Sequence, residues 1–404
     1  MKKLLLVTIF VISYSTFSMA QCNGRYFDPI FTTLTTTSDV VYGSNTNINN
    51  QNQILHLDIY EPQGDTCTNR PLLIMGHGGS FVGGTKTDQD VVKICQEFAK
   101  RGYVCCSYEY RLGMGIPSTN TAPPAVYRAT QDGKAVVRFF RKDRSTSNTY
   151  KIDTSQIFLG GSSAGAFIAL HAAYMDSYAE LPASIDTSVL GDLEGNSGNP
   201  GYSSKVKGVI NLCGALGSAQ YMHAGDVPLC SMHGTVDGTV PYGHATIYVF
   251  GIPIMVVDGS GAIKPHADSV GVEDYFFRWS GANHVPYAGT SAAQVAYMDT
   301  TIEWVRDFMY HHLDCSNSLG IIETNHELLN VFPNPTNGDV TIELGGIFDG
   351  TVKVKVIDVT GMVIYETSKY RTDKFKLPSF QDGIYFINVS DGMHKQTKKI
   401  VVMN

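Results

Sequence analysis

Short apolar runs alternate with segments of helical periodicity between residues 53 and 283. The apolar runs have the length of buried strands, and the periodic segments repeat apolar residues three and four positions apart, as one helix face requires. The predicted strands are residues 54–60, 71–76, 103–110, 157–160, 206–213, 228–233 and 276–279. The predicted helices are residues 90–101, 126–142, 164–174 and 292–311. This alternation predicts an α/β domain with a mostly parallel sheet covered by helices on both faces.

The pattern changes after Cys315, where short runs alternate apolar and polar residues between turn signals such as Asn337-Gly338 and Asp382-Gly383. The predicted strands of this region are residues 340–344, 351–358, 362–365, 383–389 and 398–402. Such spacing is typical of a small all-β sandwich. We therefore expect a second domain at residues 331–404, joined to the first through a linker at 316–330.

The amino terminus has the pattern of an export signal. Lys2 and Lys3 precede an apolar run at residues 4–12, and Ser18-Met19-Ala20 offers small residues for a cleavage site. This predicts a signal peptide at residues 1–20 and a catalytic-sized domain at 21–315. The apolar run is too short to span a bilayer, so a membrane anchor is the less favoured alternative. The mature chain is expected to be soluble or attached to the cell surface, with no transmembrane segment.

Composition narrows the classes further. The chain has 404 residues, of which 43% are hydrophobic and 17% charged, a balance that excludes a disordered or coiled-coil protein. The formal net charge is −7, so nothing predicts nucleic-acid binding, and polyanionic substrates are disfavoured. The eight cysteines (Cys22, Cys67, Cys95, Cys105, Cys106, Cys213, Cys230 and Cys315) are available for disulfides in an exported protein, with no zinc-binding pattern among them. Cys105 and Cys106 should not pair with each other, because successive strand residues point to opposite faces.

The residues Gly161-Ser162-Ser163-Ala164-Gly165 form a G-x-S-x-G motif between a predicted strand and a predicted helix. That context is typical of a nucleophile elbow, in which a tight turn displays the serine hydroxyl at the end of the strand. The alternative is a Gly- and Ser-rich turn without chemistry. Because a serine hydroxyl alone is a poor nucleophile, the hypothesis requires a base and an orienting acid later in the chain.

Asp237 and His284 are the candidate partners of Ser163, since each follows a predicted strand directly. Asp237 would orient His284, and His284 would take the proton of Ser163 and pass it to the leaving group. Other acids nearby do not follow a core strand (Asp226, Asp258 and Asp268), and other histidines are interpreted as surface or structural residues (His223, His233, His244 and His266).

The strand at residues 71–76 ends in His77-Gly78-Gly79-Ser80-Phe81. Glycine lets backbone N–H groups approach a ligand closely, and a strand-end HGG-type loop supplies oxyanion donors in lipases and esterases. We therefore assign a candidate oxyanion hole to the N–H groups of Gly78, Gly79 and Ala164, with His77 organising the loop.

Together these segments resemble the α/β-hydrolase superfamily, in particular its carboxylesterase and feruloyl-esterase-like branch. The matching segments are Leu57-Asp58-Ile59-Tyr60-x-Pro62, His77-Gly78-Gly79-x-Phe81, Tyr110-Arg111-Leu112, Gly161-x-Ser163-x-Gly165, His233-Gly234-Thr235-x-Asp237-x-x-Val240-Pro241 and Asn283-His284. The resemblance covers about residues 38–313. Two features depart from the pattern: Ser80 stands where many relatives have a third glycine, and the segment 245–272 is longer than a minimal connection. Its apolar part, residues 252–257, is either a wall of the substrate pocket or an ordinary buried strand or helix, and the sequence does not decide between these alternatives.

The acidic stretch at Asp192, Glu194 and Asn196 has oxygen ligands at alternate positions, like the start of a calcium-binding loop. Its glycine, Gly198, comes one position late and no closing glutamate follows, so the sequence favours a solvated polar loop over a metal site.

The tail resembles the C-terminal sorting domain of the type IX secretion system of Bacteroidetes. The matching residues are Val331-Phe332-Pro333-Asn334-Pro335-Thr336-Asn337-Gly338, Asp358-x-x-Gly361, Gly383-Ile384-Tyr385 and Lys398-Lys399-Ile400-Val401-Val402. The resemblance implies entry to the periplasm, recognition by the type IX machinery, and release or surface attachment after crossing the outer membrane. A carbohydrate-binding sandwich is the alternative, but no aromatic cluster indicates one.

The sequence thus predicts a secreted serine carboxylic-ester hydrolase that acts without cofactor or metal on feruloyl, acetyl or lipid-like esters or on polyesters. Two alternatives stay open: a serine peptidase of the same fold, and a non-catalytic surface-binding protein.

Overall fold

The computed structural model describes residues 24–249, 251–313, 329–344, 351–370, 374–391 and 395–403. The chain divides into two compact units, residues 1–320 and 321–404. The predicted signal peptide, Cys22, Cys315 and most of the predicted linker lie outside the described residues. The last two linker residues, Leu329 and Asn330, belong instead to the first strand of the second unit.

An eight-stranded sheet forms the centre of the first unit. Its strands are β1 (Leu34–Thr46), β2 (Asn52–Pro62), β3 (Arg70–Gly76), β4 (Val104–Tyr108), β5 (Ile152–Ser162), β6 (Gly208–Leu212), β8 (Leu229–Gly234) and β11 (Asp274–Trp279). Their order is β1-β2-β4-β3-β5-β6-β8-β11, with antiparallel pairing at β1–β2 and β2–β4 and parallel pairing from β4 to β11. The predicted mostly parallel sheet is confirmed. Strand β1 was missed, because its alternating exposed residues resemble a polar loop.

Most of the helices lie in the connections between strands, and the last one follows β11. The helices are α1 (Gln89–Ala99), α2 (Ala122–Ser145), α3 (Ala164–Tyr174), the short α4 (Thr187–Leu190), α5 (Ser260–Val270) and α6 (Ala292–His312). The chain moves from β3 to β4 in one direction along the sheet and from β5 to β6 in the other. Because such crossovers are right-handed, α1 and α3 cover opposite faces of the sheet.

A second, three-stranded sheet consists of β7 (Ala215–Leu216), β10 (Ile252–Gly259) and β9 (His244–Val249), with β10 in the middle. The sequence did not decide whether residues 252–257 form a strand or a helix, and it did not predict β9. The structure places both in an antiparallel pair, the β9–β10 hairpin, followed by α5. This insertion explains why the connection between Asp237 and His284 is long.

The second unit contains two antiparallel sheets. One comprises β12 (Leu329–Phe332), β13 (Val340–Leu344) and β16 (Lys374–Leu377), and the other β14 (Thr351–Asp358), β15 (Val363–Tyr370), β17 (Gly383–Ser390) and β18 (Lys395–Val402). Apolar side chains alternate inward on β13 and β14, as the sequence pattern required. The predicted all-β character is confirmed.

Five cysteines of the first unit are buried as thiols that form no disulfide: Cys95, Cys105, Cys106, Cys213 and Cys230. Cys105 and Cys106 do not pair with each other, as their adjacent strand positions predicted. Burial raises the pKa of each thiol, so these side chains behave as small apolar core residues. Among the described residues, no helix has the length and apolar character needed to cross a membrane.

Candidate active site

Ser163 lies at a sharp turn between β5 and α3. Its φ of 52° and ψ of −115° are values that a non-glycine residue rarely adopts, so the surrounding structure must hold it there. The neighbouring glycines allow this close packing. A Cβ on Gly161 would overlap the backbone of Gly165, and a Cβ on Gly165 would overlap the carbonyl of Gly76. The motif therefore forms the strand–turn–helix that a nucleophile elbow requires.

His284 lies between Ser163 and Asp237. Its Nε2 is 2.9 Å from the Ser163 Oγ, and its Nδ1 is 2.7 Å from the Asp237 Oδ2. With the proton on Nδ1, the imidazole donates to the carboxylate and accepts from the hydroxyl, which is the arrangement of a serine, histidine and acid triad. The three residues follow β5, β8 and β11 at the same edge of the sheet.

Further hydrogen bonds fix the Asp237 carboxylate. Its Oδ1 accepts from the backbone N–H groups of Thr239 and Val240, at 2.9 Å each, and the Nε2 of His233 lies 3.2 Å from its Oδ2. Burial disfavours the charged carboxylate, but the contacts with His233 and His284 outweigh burial and hold the pKa of Asp237 well below its usual value. Asp237 is therefore ionised at any pH at which the protein would work.

The other acids considered from sequence lie elsewhere. Asp226 accepts from the backbone of His223, Asp258 contacts His244 at 2.6 Å, and Asp268 contacts Lys264 at 2.5 Å. None of them contacts His284 in the part of the chain that the structure describes.

His233 is the residue whose position the sequence interpretation missed. It is fully buried beside the acid, and its Nδ1 lies 2.9 Å from the Ser260 Oγ. Its four-residue separation from Asp237 across a strand end could have indicated the contact, because the chain must fold back there.

The loop after β3 lies against the nucleophile. A Cβ on Gly78 would stand 3.4 Å from the Ser163 Cβ, so the backbone of the loop lies directly beside the nucleophile. Gly79 has a φ of 114°, and a side chain there would overlap Gly83. Ala164 is the first residue of α3, where N–H groups are free of helical partners. These placements support Gly78, Gly79 and Ala164 as oxyanion donors.

His77 and Tyr110 hold that loop in place. The two rings stack with centroids 4.3 Å apart, and the Tyr110 hydroxyl donates to the carbonyl of His77 at 3.0 Å. The Nδ1 of His77 lies 2.6 Å from the carbonyl of Gly78. Burial lowers the pKa of His77, so the ring is neutral and serves to organise the loop.

Cys213, Asp237 and His284 place three potential metal-ligand atoms within 4.8 Å of one another. Their chemistry does not suit a cation. Both nitrogens of His284 are engaged by Ser163 and Asp237, and burial raises the pKa of the Cys213 thiol to about 12. The cluster is the hydrogen-bonded pair of His284 and Asp237 with a neutral thiol beside it.

The stretch beginning at Asp192 is tied to α2 by charge pairs. Glu194 contacts Lys134 at 3.3 Å and Arg138 at 3.2 Å, so its carboxylate is already neutralised. Ser197 is fully buried and donates to Asp132 at 2.5 Å. The candidate ligands Asp192, Glu194 and Asn196 are exposed, as expected of a solvated loop. Ser197 is the exception, because the segment closes there over the charged residues of the helix.

A cavity of about 70 Å³ opens beside Ser163. Its walls come from the loop after β3, from α2 and α3, and from the β9–β10 hairpin. Ile254 and Met255 of β10 line it, so the apolar segment left open by the sequence is both a strand and a pocket wall.

Comparison with known families agrees with this architecture. Residues 57–220 match the BD-FAE family model, which includes Ser163 and ends before Asp237 and His284. Residues 330–403 match the model described as a secretion system C-terminal sorting domain. No curated protein matches the chain.

Two solved structures share the fold of the first unit. Thermogutta terrifontis esterase 2 phosphorylated by paraoxon is 21% identical, covers 68% of this chain and 94% of its own, and has a TM-score of 0.50. The same esterase phosphonylated by sarin is 20% identical, with coverage of 68% and 94% and a TM-score of 0.50. The resemblance to the α/β-hydrolase superfamily and to a secretion sorting domain is confirmed.

Proposed function

We propose that the first unit is a serine carboxylic-ester hydrolase that works through Ser163, His284 and Asp237. The observation that carries this proposal is the continuous contact from the Ser163 hydroxyl through His284 to a buried, ionised Asp237. The BD-FAE match and the fold shared with an esterase support the same reaction class.

In the first half-reaction, the Ser163 Oγ attacks the ester carbonyl while its proton passes to the His284 Nε2. The charge on the carbonyl oxygen is stabilised by the N–H groups of Gly78, Gly79 and Ala164; one such donor is worth about 10²–10³ in rate. His284 then gives its proton to the departing alcohol, leaving an acyl group on Ser163.

In the second half-reaction, His284 takes a proton from water, which attacks the acyl-enzyme. The acid is released when His284 returns the proton to the Ser163 oxygen. Asp237 keeps the imidazole in the tautomer and orientation that both steps need.

Substitution of the nucleophile tests this proposal. Purified Ser163→Ala should lose at least about 10³-fold of kcat on p-nitrophenyl butyrate, because the acyl-enzyme cannot form. The control is Ser155→Ala, an exposed serine on the same strand, which should keep wild-type kcat. Equal activity in wild type and Ser163→Ala would disprove the assignment. Hydrolysis of a peptide amide at a rate equal to the ester would favour a peptidase.

We also propose that residues 1–20 direct export to the periplasm and that residues 331–404 then engage the type IX secretion machinery. The sorting-domain match over 330–403 supports the second step. In a bacterium with that system, the full chain should reach the surface or medium, whereas a chain ending at residue 315 should stay in the periplasm. Equal secretion of both chains would contradict the role of the tail.

A further inference from the structure

The cavity beside Ser163 is mostly apolar. Phe81 and Phe167 line it on one side, and Ile254 and Met255 of the β9–β10 hairpin line it on the other. Such a space favours a hydrocarbon group over a polar one, since polar groups lose their water there without compensation.

The position of the cavity indicates which part of an ester would enter. Ser163 and Ala164 line it, so it adjoins both the nucleophile and a candidate oxyanion donor. His284, which must reach the departing alcohol, is absent from its described lining. The acyl chain would therefore occupy the cavity, and the alcohol would leave on the side of His284.

The volume limits the length of that chain. A water-sized group needs about 10–15 Å³ of such space, so about 70 Å³ accommodates roughly five to seven non-hydrogen atoms. An unbranched acyl chain of two to about six carbons fits. A feruloyl group, with its substituted ring and three-carbon arm, exceeds this capacity.

A second, smaller cavity of about 20 Å³ lies behind the first. Val126 and Met255 line both spaces and thus form the partition between them. The second cavity continues toward Tyr127 and Met175, which are also largely apolar. Val126 belongs to α2 and Met255 to β10, so the partition joins the core to the hairpin.

We propose that the enzyme takes esters of short unbranched aliphatic acids and that Met255, with Val126, sets the upper limit of chain length. This inference rests on the proposed esterase function. Shortening Met255 would join the two cavities and give longer chains an apolar path.

The test is an acyl-length series of p-nitrophenyl esters from acetate to dodecanoate. Wild type should show its highest kcat/KM between two and six carbons and fall at least about 10-fold by ten carbons. Met255→Ala should raise kcat/KM for the eight- and ten-carbon esters at least about 10-fold relative to butyrate, since each buried CH₂ is worth about fourfold. The matched control is Val256→Ala, the next residue on β10, whose side chain is 50% exposed and outside the cavity lining. It should leave the profile unchanged.

Val126→Ala changes the other side of the partition and is an independent test. It should also raise kcat/KM for the longer acyl chains relative to butyrate. An unchanged length profile in both partition variants, each folded by thermal melt, would overturn this inference while leaving esterase activity intact. A feruloyl ester preferred over butyrate by wild type would overturn it as well. Absence of hydrolysis of every ester would instead contradict the proposed function.

Discussion

Two regions meet at Ser163, and they are built differently. The turns that follow β5, β8 and β11 of the central sheet supply Ser163, Asp237 and His284. The β9–β10 hairpin belongs to a separate small sheet and supplies only apolar walls such as Ile254 and Met255. The first region holds reacting atoms at hydrogen-bond distance, and the second determines which groups can lie beside them.

The two regions differ in how far they tolerate substitution. Proton transfer requires contacts of about 3 Å, so the strand ends admit little change in position or residue type. An apolar wall accepts other side chains of similar volume, since dispersion and burial have no strict geometry. We therefore expect substitutions at the strand ends to abolish the reaction and substitutions in the hairpin to change its substrate range.

The largest effect should come from Asp237→Asn. An amide cannot stabilise the imidazolium or enforce the tautomer with the proton on Nδ1, so kcat should fall about 10³–10⁴-fold with the fold retained. The matched change in the hairpin region is Asp258→Asn, whose carboxylate contacts His244, and it should alter kcat less than about threefold. Both kcat values are measured on p-nitrophenyl butyrate. Similar losses of kcat in the two variants would contradict the proposed difference between the two regions.

Matched glycine substitutions compare the two backbones. Gly165→Ala places a methyl group against the carbonyl of Gly76 and should lower the free energy of unfolding by about 3 kcal/mol or more. Gly251→Ala, at the hairpin tip, meets no atom within 4 Å, and its φ of 78° should cost only about 1 kcal/mol. Urea denaturation of both variants measures the difference, and a larger loss at Gly251 would reverse our interpretation.

His233 should have an intermediate effect, because it acts on the reaction through Asp237. His233→Leu removes the group 3.2 Å from the Asp237 Oδ2 and should lower kcat about 10–100-fold with little change in KM. His233→Gln keeps an N–H donor and should recover part of the loss, which a purely packing role would not explain. Equal kcat values for the two variants would contradict the positioning role.

The smallest expected effect is a pH-dependent change in the free energy of unfolding. Asp274 begins β11, at the opposite end of the strand from His284, and burial raises the pKa of its carboxyl to about 7. Its folded pKa lies above its ordinary value of 3.8, so its contribution to stability is full below about pH 4 and is lost as the pH rises through 7.

Asp274→Asn removes that ionisation. It should raise the free energy of unfolding by about 1–2 kcal/mol at pH 9 relative to wild type and change it little at pH 4. Urea denaturation at the two pH values provides the measurement, with Asp299→Asn, an exposed position on α6, as control. A benefit independent of pH would show that ionisation of Asp274 is not the cause.

Most of the sheet could be predicted because its parallel strands are buried on both faces and appear as continuous apolar runs. Helix α3 was predicted with its observed bounds, since the elbow fixes its start. Strand β1 and the β9–β10 hairpin have exposed or partly exposed positions, and no local pattern distinguishes them from loops.

The sequence by itself determined the order of Ser163, Asp237 and His284 and the strands that each of them follows, because tight turns and buried strands impose local residue patterns. Only the tertiary structure brought His233 to the acid and Met255 to the cavity wall. Those contacts depend on how the chain folds back after β8 and on where a separate sheet packs. Neither arrangement produces a periodic pattern of apolar residues in the sequence. The candidate catalytic residues were therefore recognisable from short sequence motifs, whereas the shape of the cavity around them depends on packing between segments that are distant in sequence.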